Sequence, residues 1–310
     1  MTHPQLSIII PTHNRPQLLP LAVQSALGQT YADLEVVVVD DASTPPVELP
    51  ADPRLQVIRL EPGRGGAGAR NAGTEAARGR WVTYLDDDDC LLPHMAAVSI
   101  AALTEATTAA TAEPPVGVIS GIHKVNERGE VLTTRIPPAL CPRGSHFFLS
   151  NPEPGRSYNT KQTLVVERAV LLAIGGWDER FRSRVHTDLF LRLNPVCTLI
   201  GLPTVTYHLL AHQGTRVSGN PQLRQESFRQ LIETHRAAFV AHPKTFAEFV
   251  YKHALISAQL GQTRAAWQHL LWALRLHPGH VGAIALQDRL HQLRQGLGGM
   301  ARRALAMPPV

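Results

Sequence analysis

Apolar residues recur along this chain in two rhythms, and the change between them falls near residue 222. Leu6-Ser7-Ile8-Ile9-Ile10 and Leu34-Glu35-Val36-Val37-Val38-Val39 are nearly continuous runs rich in β-branched residues that end in polar or turn residues, the pattern of strands covered on both faces. Between them, Leu18, Leu19, Ala22 and Ala26 stand at helical spacing within residues 16–26, so the first 40 residues predict a βαβ unit. A strand over Leu55–Leu60, a helix over Ala67–Ala77 and a strand over Trp81–Leu85 extend the alternation into a mainly parallel sheet with flanking helices. Pro93–Ala110 predicts an alanine-rich helix, and Val116–Lys124 with Val131–Ile136 predicts a strand pair about the turn Asn126-Glu127-Arg128-Gly129. Residues 137–160 are rich in Pro, Gly, Ser and Asn without a period, which predicts a functional loop or lid. From about Arg224 onward only helical periods remain, so the expected organisation is an α/β domain over 1–222 and a helical region over 223–310.

Composition narrows the class. A chain of 310 residues with 44% hydrophobic and 18% charged residues reads as an ordinary globular protein larger than one compact unit. The formal charge of +5 suits anionic ligands such as nucleotides or a membrane surface and does not imply nucleic acid. The three cysteines are far apart and in no CxxC spacing, so neither a disulfide framework nor a zinc site is indicated, and a reducing compartment fits best. Met1-Thr2-His3-Pro4-Gln5 has no basic n-region and Leu6–Ile10 is too short for a signal peptide. The run of about 20 apolar residues that a membrane span needs is nowhere found, so a cytoplasmic location is expected. For the last predicted helix, Leu286–Leu305, where Arg289, Arg294, Arg302 and Arg303 lie beside leucines, peripheral membrane contact and a frayed surface helix both stay open.

The candidate chemistry sits at strand ends. Asp86-Asp87-Asp88-Asp89 follows the fourth predicted strand, Asp40-Asp41-Ala42-Ser43 the second, and Pro11-Thr12-His13-Asn14-Arg15 the first. In a parallel sheet these carboxyl ends lie side by side and line one crevice. Clustered carboxylates raise one another's pKa unless a cation compensates, and oxygen-only ligation suits Mg²⁺ or Mn²⁺ with positions left for a diphosphate. Turn or cap chemistry is the alternative for Asp40 and Asp41, and an N-cap of the helix near Pro93 is the alternative for Asp89.

With Leu6 to Arg15, Gln29-Thr30-Tyr31, Glu35 to Ser43, Gly68-Ala69-Arg70-Asn71-Ala72-Gly73, Tyr84 to Asp89 and Gly175-Gly176-Trp177-Asp178-Glu179 in this order, residues 5–218 resemble a family 2 glycosyltransferase of the GT-A fold. That resemblance implies a nucleoside-diphosphate-sugar donor, an inverting transfer to a carbohydrate, lipid-linked or protein acceptor, and Mn²⁺ or Mg²⁺ as cofactor. It assigns Pro11, Thr12, Asn14, Arg15, Asp41 and Arg70 to the donor, with Thr12 and Asp41 at the base and Arg70 near the nucleotide. Asp86 and Asp88 match the DxD carboxylates, Asp88 as metal ligand and Asp86 toward ribose or metal, with Asp87 supporting them. His212, as a further metal ligand, and Arg216 match a loop that closes over the diphosphate, whereas His208 reads as structural.

One departure stands out. The family's Glu-Asp-x-Asp-Leu pattern, with an aspartate as general base, corresponds here to Val185-His186-Thr187-Asp188-Leu189, which puts His186 in the base position and keeps Asp188. Histidine is a competent base near neutral pH. His186 as base, Asp188 as base or as partner of His186, and Asp188 as a helix cap in a weakened transferase all stay open. Two rivals also stand: a non-catalytic sugar-nucleotide or partner-binding module, and a nucleotidyltransferase, which would be expected to show a Gly-rich signature where this chain has Pro11-Thr12-His13-Asn14. Residues 246–260, Gly261, residues 264–276 and Pro278 resemble a single tetratricopeptide-like hairpin, read as a packing appendage or a homodimer contact because one repeat cannot form a binding solenoid.

Overall fold

In the computed structural model of the chain, residues 3–108, 114–149, 152–211 and 220–289 are described. They divide into two compact units, which separate after Thr234. The first unit runs β1 (Leu6–Thr12), α1 (Leu19–Leu27), β2 (Leu34–Asp41), β3 (Leu55–Leu60), α2 (Gly65–Ala76), β4 (Trp81–Tyr84), β5 (Cys90–Leu91) and α3 (Met95–Thr108). It continues through β6 (Val116–Val125), β7 (Val131–Arg135), β8 (Leu140–Cys141), a 3₁₀ turn (Lys161–Thr163), β9 (Val165–Glu167), α4 (Arg168–Ala173), α5 (Val185–Leu193), β10 (Thr198–Leu210) and α6 (Pro221–Thr234).

The sheet order is β3-β2-β1-β4-β9-β6-β10-β5, with β7 on β6 and β8 on β10. Strands β3, β2, β1 and β4 are parallel, as the alternation of strands and helices predicts. Beyond β4 the sheet is mixed, because the three-residue β9 inserts antiparallel between β4 and β6. The predicted hairpin of β6 and β7 is present.

Every residue of β1 and β2 is buried, since both faces carry helices. The period of two then sorts the side chains. Leu6, Ile8 and Ile10 pack with Leu19, Ala22, Val23, Met95 and Leu103 from α1 and α3, whereas Ile9, Val37 and Val39 pack with Ala69 and Ala72 of α2 and with Leu189 and Phe190 of α5. Helix α2 lies so close to the sheet that a Cβ on Gly73 would stand 2.4 Å from Ile9 Cγ2. After β1 the chain builds outward to β2 and β3, then returns to the other side of β1 as β4. The crevice at the carboxyl ends of β1 and β4 is therefore the topological switch point of the sheet.

The end of this unit lies beyond the expected 222. Ser227 Oγ accepts from the Ser183 N–H at 3.2 Å, and the Arg184 guanidinium stacks 5.3 Å over Phe228, so α6 packs on the segment that leads into α5. The second unit contains α7 (Arg236–Ala241), α8 (Pro243–Gln259), α9 (Thr263–Leu276) and helical residues 278–289. Helices α8 and α9 pack through Phe246 against Trp272 and His253 against His269, with Gly261 at positive φ in the turn between them. Among the described residues no helix is long and apolar enough to cross a membrane. Most of the predicted 286–305 helix, including Arg294, Arg302 and Arg303, lies outside the described residues.

Candidate functional site

A cleft of about 900 Å³ opens at the carboxyl ends of β1, β2 and β4. One wall is acidic. Asp86, Asp88 and Asp89 each offer a carboxylate oxygen within 4.8 Å of the others, although like charges so close repel. Two arginines offset part of that repulsion: Arg15 donates to Asp88 at 2.6 Å and Asp87 at 3.2 Å, and Arg70 donates to Asp86. Asp87 is buried, accepts from the Thr12 hydroxyl at 2.7 Å, and is pushed up to about 6, chiefly by burial. Thus the end of β1 is fastened directly to the acidic run.

Asp89 does not cap a helix, contrary to one reading of the sequence. The two-residue β5 follows it and α3 starts only at Met95. Its carboxylate instead accepts from the Tyr207 hydroxyl at 2.8 Å and the Leu210 N–H at 2.9 Å, at the far end of β10. Burial, with Asp86 and Asp88 nearby, raises its pKa well above the usual carboxylate range. An all-oxygen set whose members oppose one another's ionisation fits a hard divalent cation. Asp89 joins Asp86 and Asp88 as a donor that the sequence reading passed over.

Asp41 lies at the rim of the cleft, where its carboxylate accepts from the backbone N–H groups of Arg64 at 2.6 Å and Gly65 at 2.8 Å. It thereby caps the N-terminus of α2. Asp40 points elsewhere: it accepts from the N–H groups of Ser43 and Val47 and from Arg59, the turn chemistry that was its alternative. Pro11, Thr12 and Arg15 line the cleft, but Asn14 does not. With φ at 54°, Asn14 uses its side-chain carbonyl to hold the Thr44 N–H at 2.7 Å, and its own N–H donates to Ser43.

Arg70 belongs to α2, is 8% exposed, and stacks 5.1 Å from the ring centre of Trp177. It is no surface arginine. Trp177 is the residue that links the two walls: its ring meets Tyr84 at 4.8 Å and His186 at 5.0 Å, both edge to face. Asn71 fixes it, accepting from the Trp177 N–H at 2.8 Å and donating to its carbonyl at 2.9 Å. The preceding Gly176 has φ of 67°, and a Cβ there would fall 2.5 Å from Asn71 Oδ1, so only glycine serves.

His186 and Asp188 part company. Helix α5 starts after Arg184, whose φ is 62°, and its first turn puts His186 and Thr187 on the cleft. Burial, followed by the charge of Arg70, pushes the His186 imidazole down to about 3, so it is neutral. Asp188, 1% exposed, is absent from the cleft lining and accepts from Arg192 one turn later, at 2.6 and 3.1 Å. His208 stacks 5.8 Å from His123 on the neighbouring strand. His212 and Arg216 lie outside the described residues.

The wall around His186 was not anticipated as chemistry. Arg135 from β7, Lys161 from the 3₁₀ turn, Arg184 before α5 and Arg224 from α6 all line the cleft. They come from separate parts of the chain, and no spacing in the sequence marks them as a group.

Comparison with known proteins places these features. The profile of "Glycosyl transferase family 2" matches residues 7–136, which span β1 to the start of the segment after β7. An uncharacterized glycosyltransferase of Haemophilus influenzae is 30% identical over 193 residues, covering 61% of this chain and 61% of that protein. The UDP-Glc:alpha-D-GlcNAc-diphosphoundecaprenol beta-1,3-glucosyltransferase WfaP of Escherichia coli is 38% identical over 88 residues, covering 27% of this chain and 35% of its own. In both cases the match spans less than two thirds of the relative. Among solved structures, TarS of S. aureus (residues 1–349) in complex with UDP-GlcNAc superposes with a TM-score of 0.62 at 18% identity, over 90% of this chain and 83% of that one. Thr12, Asp41, Arg70 and the acidic run all fall inside the stretch, residues 7–136, over which the chain is similar to the family 2 glycosyltransferases, and the chain has the GT-A fold.

Proposed function

We propose that this protein transfers a sugar from a nucleoside-diphosphate donor to an acceptor hydroxyl, with inversion at the anomeric carbon. The observation that carries the reading is the cleft itself, with an acidic run at the switch point on one wall and a neutral histidine on the other. Thr12 and Asp41 border the space for the base, and Arg15 and Arg70 exchange their carboxylate partners for donor phosphates when the donor arrives. Asp86, Asp88 and Asp89 would hold Mn²⁺ or Mg²⁺, which when bound supplies positive charge to the departing diphosphate.

His186 receives the acceptor proton. The acceptor oxygen forms a bond to the anomeric carbon as the bond from that carbon to the diphosphate oxygen breaks, and the electron pair leaves with the nucleoside diphosphate. Neutrality keeps a lone pair on the imidazole, and the incoming negative charge of the donor raises its basicity above that of the free protein. Its place on the cleft, set against the engagement of Asp188 by Arg192, supports His186 over Asp188 as base.

The depressed basicity of His186 is also what favours the second reading, a sugar-nucleotide-binding module without turnover. Incubation with Mn²⁺ and a panel of sugar nucleotides separates the two. Release of nucleoside diphosphate that Asp88→Ala abolishes is the expected result; donor binding with no turnover across a broad acceptor panel would leave only the binding module.

A further inference from the structure

Trp177 reaches both walls of the cleft without lining it: the residue is 2% exposed and absent from the cleft surface. The Arg70 guanidinium lies over its ring, with Cζ 5.1 Å from the ring centre, and Tyr84 and His186 meet the ring edge to face. One side chain thus touches the arginine that engages the acidic run and the histidine on the opposite wall.

The ring is itself fastened to α2. Asn71, the residue after Arg70, grips the Trp177 backbone at both its N–H and its carbonyl. Tyr84 belongs to the same frame, because its hydroxyl lies 2.6 Å from the Thr74 hydroxyl, which donates to the Arg70 carbonyl at 2.7 Å. The indole is therefore held in register with the helix that carries Arg70.

Each of the two groups lacks a support that the indole supplies. Arg70 gives one Nη to the Gly66 carbonyl at 2.9 Å and the other to Asp86, while its buried Nε has no hydrogen-bond partner. On the function proposed above, Arg70 exchanges Asp86 for a donor phosphate, so Asp86 does not hold the guanidinium through the exchange. A ring against the guanidinium face does, since cation–π attraction leaves the N–H groups free. His186 has a matching need. A base is ordinarily oriented by a hydrogen bond to a third group. Among the described residues the His186 ring has no such bond, and it packs on the Trp177 edge instead. The charged groups that face it, Arg70 from α2, Asp86 after β4 and Lys161 from the 3₁₀ turn, act on it only through their charge.

Resting on the transferase reading above, we infer that Trp177 is a positioning residue shared by the two walls: it keeps Arg70 aimed at the donor phosphates while Arg70 releases Asp86, and it sets the ring orientation of His186 toward the acceptor hydroxyl.

The test is a pair of double-mutant cycles on the full chain. A residue that only supports the fold adds its loss to that of another substitution, whereas one that acts through Arg70 or His186 has no further effect once that partner is gone. In the first cycle UDP, GDP and dTDP are titrated with Mn²⁺ present, and the tightest binder is followed. Trp177→Leu should weaken it about tenfold, and Arg70→Met/Trp177→Leu should stay within about twofold of Arg70→Met alone. The second cycle reads nucleoside diphosphate release at saturating sugar nucleotide, so that weaker donor binding does not enter. Trp177→Leu should lower kcat on the order of 30-fold and add less than about twofold to His186→Ala. Trp177→Phe, which keeps an aromatic face and edge, should restore most of both losses. If urea denaturation shows that Trp177→Leu does not fold, Asn71→Ala takes its place, because it loosens the ring without truncating it. Additive losses in both cycles, or unchanged binding and kcat in Trp177→Leu, would overturn the inference. So would additivity in one cycle alone, which would confine Trp177 to a single wall. Non-additive binding in a protein that releases no nucleoside diphosphate with any acceptor would refute the transferase reading while the hold of Trp177 on Arg70 stands. Failure of all three nucleotides to bind the parent protein would refute both.

Discussion

The two walls of the cleft handle charge in opposite ways. On the switch-point wall, negative charge is dense but mostly answered: Arg15, Arg70, Thr12 and Tyr207 each reach a carboxylate of the acidic run. On the His186 wall, positive charge is dense and the nearest charges are of the same sign. The first wall is built from parallel strand ends, whose rigid register brings Thr12 to Asp87 across 75 positions of sequence. The second is assembled from a hairpin end, a 3₁₀ turn and the starts of two helices. The first wall supplies counter-ions of its own, Arg15 and Arg70, which a ligand can exchange.

Substitutions that break this contrast should act with graded strength. The largest effect is expected from Asp88→Ala, which removes a cation donor and the partner of Arg15; nucleoside diphosphate release should fall on the order of 10³-fold. Retention of full turnover would show that the acidic run is not where the leaving group is stabilised. His186→Ala should lower kcat on the order of 10²-fold with little change in folding stability. Asp188→Asn should do the reverse, costing about 2–3 kcal/mol in urea denaturation because Arg192 loses its buried partner, and lowering kcat much less than His186→Ala does. If Asp188→Asn proves the more damaging to kcat, the base assignment moves to the carboxylate.

The smallest expected effect separates the walls most directly. Lys161→Met should stabilise the ligand-free protein by about 1 kcal/mol at pH 7, a figure reduced for the partial exposure of Lys161. The sign follows from proton binding. Folded Lys161 titrates at about 8 and the unfolded side chain near 10.5, so between these values the unfolded chain binds a proton that the folded one has lost. Its contribution to stability is accordingly least favourable below pH 8 and improves as pH rises toward 10.5, so the gap between the variant and the parent should close over that window in paired urea titrations. On the acidic wall, where the carboxylates have cationic partners, an equivalent apolar substitution such as Asp88→Leu should bring no such gain.

What the sequence made legible follows from how far each signal is concentrated. Continuous runs such as Ile8-Ile9-Ile10 and Val36–Val39 announce doubly covered strands, and four adjacent aspartates announce a charge that needs an answer. The antiparallel half was harder to read because β5 and β8 have two residues each and β9 has three, too few to express a period. For the same reason a helix cap stayed open as the alternative for Asp89: a two-residue strand between it and α3 leaves no trace in the pattern. Arg135, Lys161, Arg184 and Arg224 are scattered singly, and a lone basic residue carries no signature until folding brings it beside others. The split between His186 and Asp188 was only half visible, since their spacing fixes which turn of α5 they share but not that Arg192 holds one of them. The assignments at His212 and Arg216 fall outside the described residues.

The capping of α2 by Asp41 has a consequence for how donor preference can change over time. Many phosphate sites rely on backbone N–H groups at a helix start, a resource that a side-chain substitution barely alters. Here the N–H groups of Arg64 and Gly65 already belong to a carboxylate, which on the function proposed above leaves phosphate recognition to separately encoded side chains such as Arg15 and Arg70. A single codon change can then retune affinity for the donor without disturbing the helix, and the scaffold is free to serve successive donors while its architecture stays the same.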